Sequence, residues 1–170
     1  MEQQTIDEIR KVLNEFNDPN FKTFKTRYSG ILKVETGLDL YELLEKIKEK
    51  IENEPWELRY CSRIIPIQKT CSTDLDLIKK NVIELIPSIR PNKTYRISIE
   101  KRDSSLIRNE IISNIASLLS NNVSLEKPDW EIIIQIIGDE TGISVLPKNS
   151  ILSINTVSYT HLTLPTILRV

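Results

Sequence analysis

The stretch that most constrains this chain is residues 131–137, where Ile132, Ile133, Ile134, Ile136 and Ile137 crowd together. A strand wetted on one face alternates apolar with polar side chains, so a nearly unbroken apolar run needs cover on both faces. The run predicts the central strand of a sheet layered with helices. Its neighbours supply the layers. Leu75, Ile78, Val82 and Leu85 recur at helical spacing behind Ser72 and Thr73. Ile107, Ile111, Ile112, Ile115, Leu118 and Leu119 do the same behind Ser104 and Ser105, which are expected to cap that helix. Between the two helices, Tyr95, Ile97 and Ile99 alternate with Arg96, Ser98 and Glu100, the period of a half-buried strand. After the isoleucine run, residues 138–142 read as a turn, and residues 143–146 and 150–154 as short strands. Mixed helices and strands of this kind give an α/β (α+β) layered domain, placed at residues 69–156.

The first part of the chain has its own pattern. Residues 4–16 form an amphipathic helix with Ile6, Ile9, Val12, Leu13 and Phe16 inward. Residues 24–28 and 31–35 read as strands around Ser29-Gly30. The motif Thr36-Gly37-Leu38-Asp39 opens a second helix, and residues 58–67 follow as a strand. Helix, strand, strand, helix, strand is a βαββαβ ferredoxin-like unit without its first strand. A first domain over residues 1–68 is expected, with an exposed edge or gap where that strand would sit. From residue 157 the pattern stops. The segment 157–170 resembles the vector-derived ends of sequence fragments, and it is expected to be non-native. It carries His161, the one histidine of the chain, which is therefore set aside as a catalytic candidate.

Composition excludes several classes. No apolar run approaches the roughly 20 residues of a membrane-spanning helix, and the N-terminus has no signal-peptide pattern, so a cytoplasmic protein is expected. Cys61 and Cys71 form no CxxC and stand beside no histidine cluster, which predicts neither a zinc site nor a disulfide framework. No Gly-rich phosphate loop and no credible Ser/His or Cys/His arrangement points to catalysis or to a cofactor.

Net charge is −1, yet the charges are segregated. Residues 22–33 hold Lys22, Lys25, Arg27 and Lys33 with no acid among them. In that stretch Phe24 and Tyr28 could stack on bases, but aromatics at a spacing of two usually pack, and a core role is expected for them. The second basic cluster is Lys101, Arg102 and Arg108, beside Ser104 and Ser105 at a helix start. A helix N-terminus offers unpaired N–H groups and the positive end of a dipole, so cations there are reconciled by an anion such as a phosphate. Alternatively, the three are solvated charges partly paired with Asp103 and Glu110.

Three blocks carry a family resemblance: CSRIIPIQKTC at residues 61–71, TYRISIEKRDSSLIRNEIISNIA from Thr94, and VSLEKPDWEIIIQIIGDETGISVL from Val123. Together they resemble a THUMP domain preceded by its N-terminal ferredoxin-like domain, over roughly residues 1–156. The RIIPIQ-TC junction is similar to the stand-alone THUMP proteins that serve as tRNA-binding adaptors for N4-acetylcytidine formation. The resemblance implies a non-catalytic protein that holds tRNA, by its acceptor stem and 3′ CCA end, for a separate RNA cytidine acetyltransferase acting on the D-arm. It implies RNA contact by Arg63 and Lys69 at the junction and by Lys101, Arg102 and Arg108, with Arg96, Ser104 and Ser105 beside them. Gly142, Ile143 and Ser144 match the family's GISV segment, as RNA contacts or as turn and core strand. THUMP domains also occur fused to methyltransferase, thiouridine-synthesis and pseudouridine-synthesis domains, so the chain could instead be the RNA-binding portion of such an enzyme. A protein-interaction module is the third possibility that a near-zero net charge allows.

Overall fold

The computed structural model describes residues 2–18 and 20–154, and the backbone of residues 166–169. The elements run α1 (Glu2–Glu15), β1 (Lys22–Lys25), β2 (Ile31–Glu35), α2 (Leu40–Asn53), β3 (Arg63–Pro66), β4 (Lys69–Ser72), α3 (Leu75–Leu85), β5 (Tyr95–Arg102), α4 (Arg108–Ala116), β6 (Trp130–Ile137), β7 (Glu140–Pro147), β8 (Leu152–Ser153) and β9 (Thr166–Arg169). The fold is α+β. It divides into two compact units, one holding the chain up to Pro66 and again from Ser150, the other Ile67–Asn149.

In the first unit the expected helix, strand, strand, helix, strand order is present. Asp39 caps α2 by accepting the Glu42 N–H at 3.1 Å. Ile9, Val12 and Leu13 of α1 and Leu43, Leu44 and Ile47 of α2 pack with Leu32, Val34 and Ile64 of the sheet. Three features differ from expectation. Residues 58–67 are not one strand: Pro55–Leu58 is a 3-10 turn and β3 starts only at Arg63. The Glu8 carboxylate accepts the N–H groups of Arg59 and Tyr60, at 2.6 and 3.0 Å, and so satisfies a bent backbone that a ladder would otherwise hold. Phe24 is 41 % exposed, not in the core, because β1 is an outer strand with β2 on one side alone. Finally, β9 occupies the place between β2 and β3 where a gap was expected, parallel to both. The first strand of a βαββαβ unit would run the other way there. Residues 155–165, with His161, lie outside the described residues.

The sheet of the second unit has the order β4-β7-β6-β5. As the isoleucine run predicts, β6 is interior, parallel to β5 and antiparallel to β7. Ile132, Ile134 and Ile136 join Ile78 and Val82 of α3 and Ile111 and Ile115 of α4 in one core, while Ile133, of the other parity, is just as buried. The β6–β7 turn is tighter than expected. Ile137 pairs with Glu140 across Gly138 and Asp139, and Gly138 supplies the positive φ of 59° that such a turn needs. Residues 69–72 form β4 instead of leading into a helix, because β7 offers them a full antiparallel ladder. Helix α3 then starts at Leu75, with Asp74 accepting the Leu77 N–H at 3.1 Å.

Gly142 and Ser144 lie within buried β7, so the GISV segment is core strand. A Cβ on Gly142 would come within 2.9 Å of Ile67 Cδ1, a closeness only glycine allows. The junction residue Gln68 is tied to the same strand. Its N–H donates to Ser144 Oγ at 2.9 Å, and its side-chain oxygen accepts the Val145 N–H at 2.8 Å.

Candidate nucleic-acid interface

Strand β5 runs along the outside of the second sheet and ends in Lys101 and Arg102. Asp103 takes a φ of 55°, a left-handed conformation that Asp tolerates, and the chain turns away from the ladder there. The Arg102 carbonyl is still held, by the Gly138 N–H at 2.9 Å. Inside the loop, Ser104 Oγ accepts the Leu106 N–H at 3.2 Å, and Lys101 Nζ donates to the Leu106 carbonyl at 2.7 Å. Leu106 packs against the core while Ile107 is exposed.

This loop displaces the helix. Ser104 and Ser105 do not cap α4, which begins at Arg108 with the extended Ile107 at its N-cap and no side-chain cap bond. The expected caps fail because Leu106 must reach the core before the helix can start, and Ser104 is spent on the turn that brings it there. The helix also stops at Ala116, short of Leu118 and Leu119, which continue as a turn. With no side-chain cap, the first N–H groups of the helix face solvent or a ligand, apart from that of Glu110, which donates to the Ile107 carbonyl at 3.1 Å.

Lys101, Arg102 and Arg108 are all exposed, and among the described residues no ion pair joins them to Asp103, Glu110 or any other acid. With Ser104 and Ser105 they bracket an uncapped helix N-terminus, an arrangement able to take an anion. Other sequence-predicted contacts have partners. Arg96, earlier on β5, donates to the Leu125 carbonyl at 2.9 Å and pairs with Glu131, while its Nε is buried with no partner. Lys69 on β4 pairs with Glu84 of α3. Arg63, half-buried on β3, belongs to the first unit.

The two cysteines are poor nucleophiles. Burial pushes the Cys61 thiol far up, and partial burial, helped by Asp74, raises that of Cys71, so neither is a ready thiolate. Among the described residues no group of three or more His, Cys, Asp and Glu side chains converges as metal ligands, and no helix is long and apolar enough to cross a membrane.

Residues 72–146 match the THUMP domain family. This segment is a THUMP domain. It contains the whole β5–α4 loop and excludes Arg63 and Lys69. Among solved structures, PH1313 from Pyrococcus horikoshii superposes with a TM-score of 0.59 at 15% identity, over 88% of this chain and 51% of its own. A 4-thiouridine synthetase, solved in complex with RNA and ATP, matches with a TM-score of 0.50 at 14% identity, over 87% of this chain and 39% of its own. At such identities the likeness is one of fold. In sequence, an uncharacterized protein of Methanocaldococcus jannaschii is 33% identical over 97 residues, 55% of this chain. The chain spans about a quarter of that relative's length, 26%.

Proposed function

We propose that the chain binds tRNA through its THUMP domain and acts as a non-catalytic adaptor, presenting the acceptor stem and 3′ CCA end to an RNA cytidine acetyltransferase that forms N4-acetylcytidine in the D-arm. The observation that carries the RNA-binding part is the β5–α4 loop. Inside a THUMP domain, three exposed cations with no ion pair among the described residues stand at a helix start that has no side-chain cap. A phosphate there meets both the side-chain charge and the amides, while the surrounding surface reads shape more than sequence. The fold shared with a synthetase solved in an RNA complex supports the same reading. The adaptor role rests on the RIIPIQ-TC junction. On this reading the protein works in the cytoplasm and needs no cofactor.

One observation favours a second reading. The chain covers 26% of its sequence relative and 39% of the synthetase. It would then be the RNA-binding portion of a longer tRNA-modifying enzyme.

The test is a titration with intact tRNA and with tRNA lacking its CCA end, at two salt concentrations, using the wild-type chain and the Lys101→Ala, Arg102→Ala, Arg108→Ala variant. Removing one cation from a phosphate should make the log–log salt dependence shallower by about 0.7–0.9. Weaker binding without CCA and a flatter salt slope in the folded variant are expected. Equal binding by both proteins would remove the loop as the site. Acetylation of tRNA by a cytidine acetyltransferase, with and without the chain, separates the adaptor from the enzyme fragment.

A further inference from the structure

We propose a second RNA contact on the β1–β2 hairpin of the first unit, where Phe24 stacks on an unpaired base and Lys22, Lys25 and Arg27 meet the flanking phosphates. This rests on the reading of the chain as an RNA binder and extends it to residues outside the THUMP domain. The hairpin stretch 22–33 contains four cations and no acid. Lys22, Lys25 and Arg27 are exposed, and among the described residues Lys22 and Lys25 enter no ion pair.

The aromatics are what turn a basic patch into a binding surface. Phe24 is 41 % exposed on an outer strand, where an unbranched polar residue would serve the ladder as well. Lys33 Nζ lies 5.7 Å from the Phe24 ring centre, and the Arg27 guanidinium lies 5.1 Å from that of Tyr28. Each ring thus stands beside a cation, and aromatic rings set among basic side chains are the combination by which single strands are held without sequence preference. The plainer explanation is that lysines on an outer strand block edge-to-edge association of sheets. That accounts for Lys22 and Lys25. It does not account for an exposed phenylalanine, which would favour such association.

The experiment measures tRNA affinity of the full chain and of Phe24→Ala, Phe24→Tyr and Lys22→Gln/Lys25→Gln, with circular dichroism and gel filtration on each. Loss of one stacked base weakens binding by roughly 5- to 100-fold in Phe24→Ala, and Phe24→Tyr restores it. The double lysine variant should flatten the salt slope by about 1.4–1.8. Unchanged affinity in Phe24→Ala, alongside weakened binding by the Lys101, Arg102, Arg108 variant, overturns the hairpin contact and leaves the THUMP reading standing. A double lysine variant that self-associates yet binds tRNA as before assigns the lysines to edge protection and also overturns it. No tRNA binding by the wild-type chain removes both proposals together.

Discussion

The two units build their sheets in opposite ways. In the second, β5, β6 and β7 are each 8 residues long, and the middle strand is paired along its whole length on both sides. In the first, the strands have 2 to 5 residues, and a small apolar cavity of about 30 Å³ remains among Ile9, Leu13, Val34, Ile47 and Ile64. A long doubly paired strand fixes the position of every side chain it carries. A short one relies on helices and on single polar contacts, such as Glu8 on the Arg59 and Tyr60 amides, to hold the backbone. The unit with the longer ladder should therefore yield less when its core is cut.

The largest test of that difference is Ile134→Ala against Ile47→Ala. Both side chains are buried, and large-to-small changes of this kind cost about 2–5 kcal/mol. Ile134 should fall at the top of that range, because its strand cannot move inward without breaking two ladders. Ile47 should fall at the bottom, because it already borders the cavity and lies on a helix held to its sheet by side-chain packing and not by a ladder. Each unit contains one of the two tryptophans, so urea unfolding can be followed unit by unit, with Trp130 in a Trp56→Phe background and the reverse. Equal losses would break the comparison.

Gly142→Ala should act next in size. The added Cβ would sit 2.9 Å from Ile67 Cδ1 in a filled core, an overpacking that costs about 1–3 kcal/mol. Because the atom met is the end of a side chain, Ile67→Val in the same protein should recover part of the loss. No recovery would mean that the strand backbone, not Ile67, sets the limit.

Much of the second unit was legible in the sequence because its signal is local. Isoleucines of both parities at 132–137, β-branched and followed by a turn signal, read as a covered strand, and that is what β6 is. The first helix and α2 were equally readable from spacing, but the capping box put the cap of α2 at Thr36, whereas Asp39, nearer the helix, does the capping. What could not be read depends on partners distant in the chain. Lys69–Ser72 became a strand because β7 accepted it, and the Ser104–Ser105 cap was lost because Leu106 had to reach the core. Lys101, Arg102 and Arg108 could be placed together in advance, since they flank one turn. Arg96 and Lys69 could not be told apart from them, because Glu131 and Glu84, which engage them, lie 35 and 15 residues away. The exposure of Phe24 had one usable signal, an aromatic set in a stretch with no acid, and the usual packing of strand aromatics outweighed it.

The smallest effect contrasts two carboxylates that do the same job in different units. Asp129 accepts the Thr94 N–H and hydroxyl, at 3.0 and 3.1 Å, and joins the starts of β5 and β6. These bonds, the backbone one foremost, hold its carboxyl below the ordinary value of 3.8. Glu8 also accepts backbone N–H groups, yet burial outweighs them and lifts its carboxyl above the ordinary 4.5. The two therefore respond to acid with opposite sign. A depressed carboxyl adds stability above its unfolded value, and that stability disappears as pH falls through the folded one. A raised carboxyl behaves in reverse: the folded state binds the proton first, so stability is gained as pH falls through the folded value toward the unfolded one. In urea titrations from pH 7 to pH 3, the advantage of wild type over Asp129→Asn should shrink with acid, and its standing relative to Glu8→Gln should improve. Both differences should be smaller than that of Gly142→Ala, since Asp129 is solvent-accessible and Glu8→Gln keeps an acceptor oxygen. Parallel pH trends in the two variants would show that burial does not govern Glu8, and that the short-stranded unit holds its bent backbone in the same way as the long-stranded one.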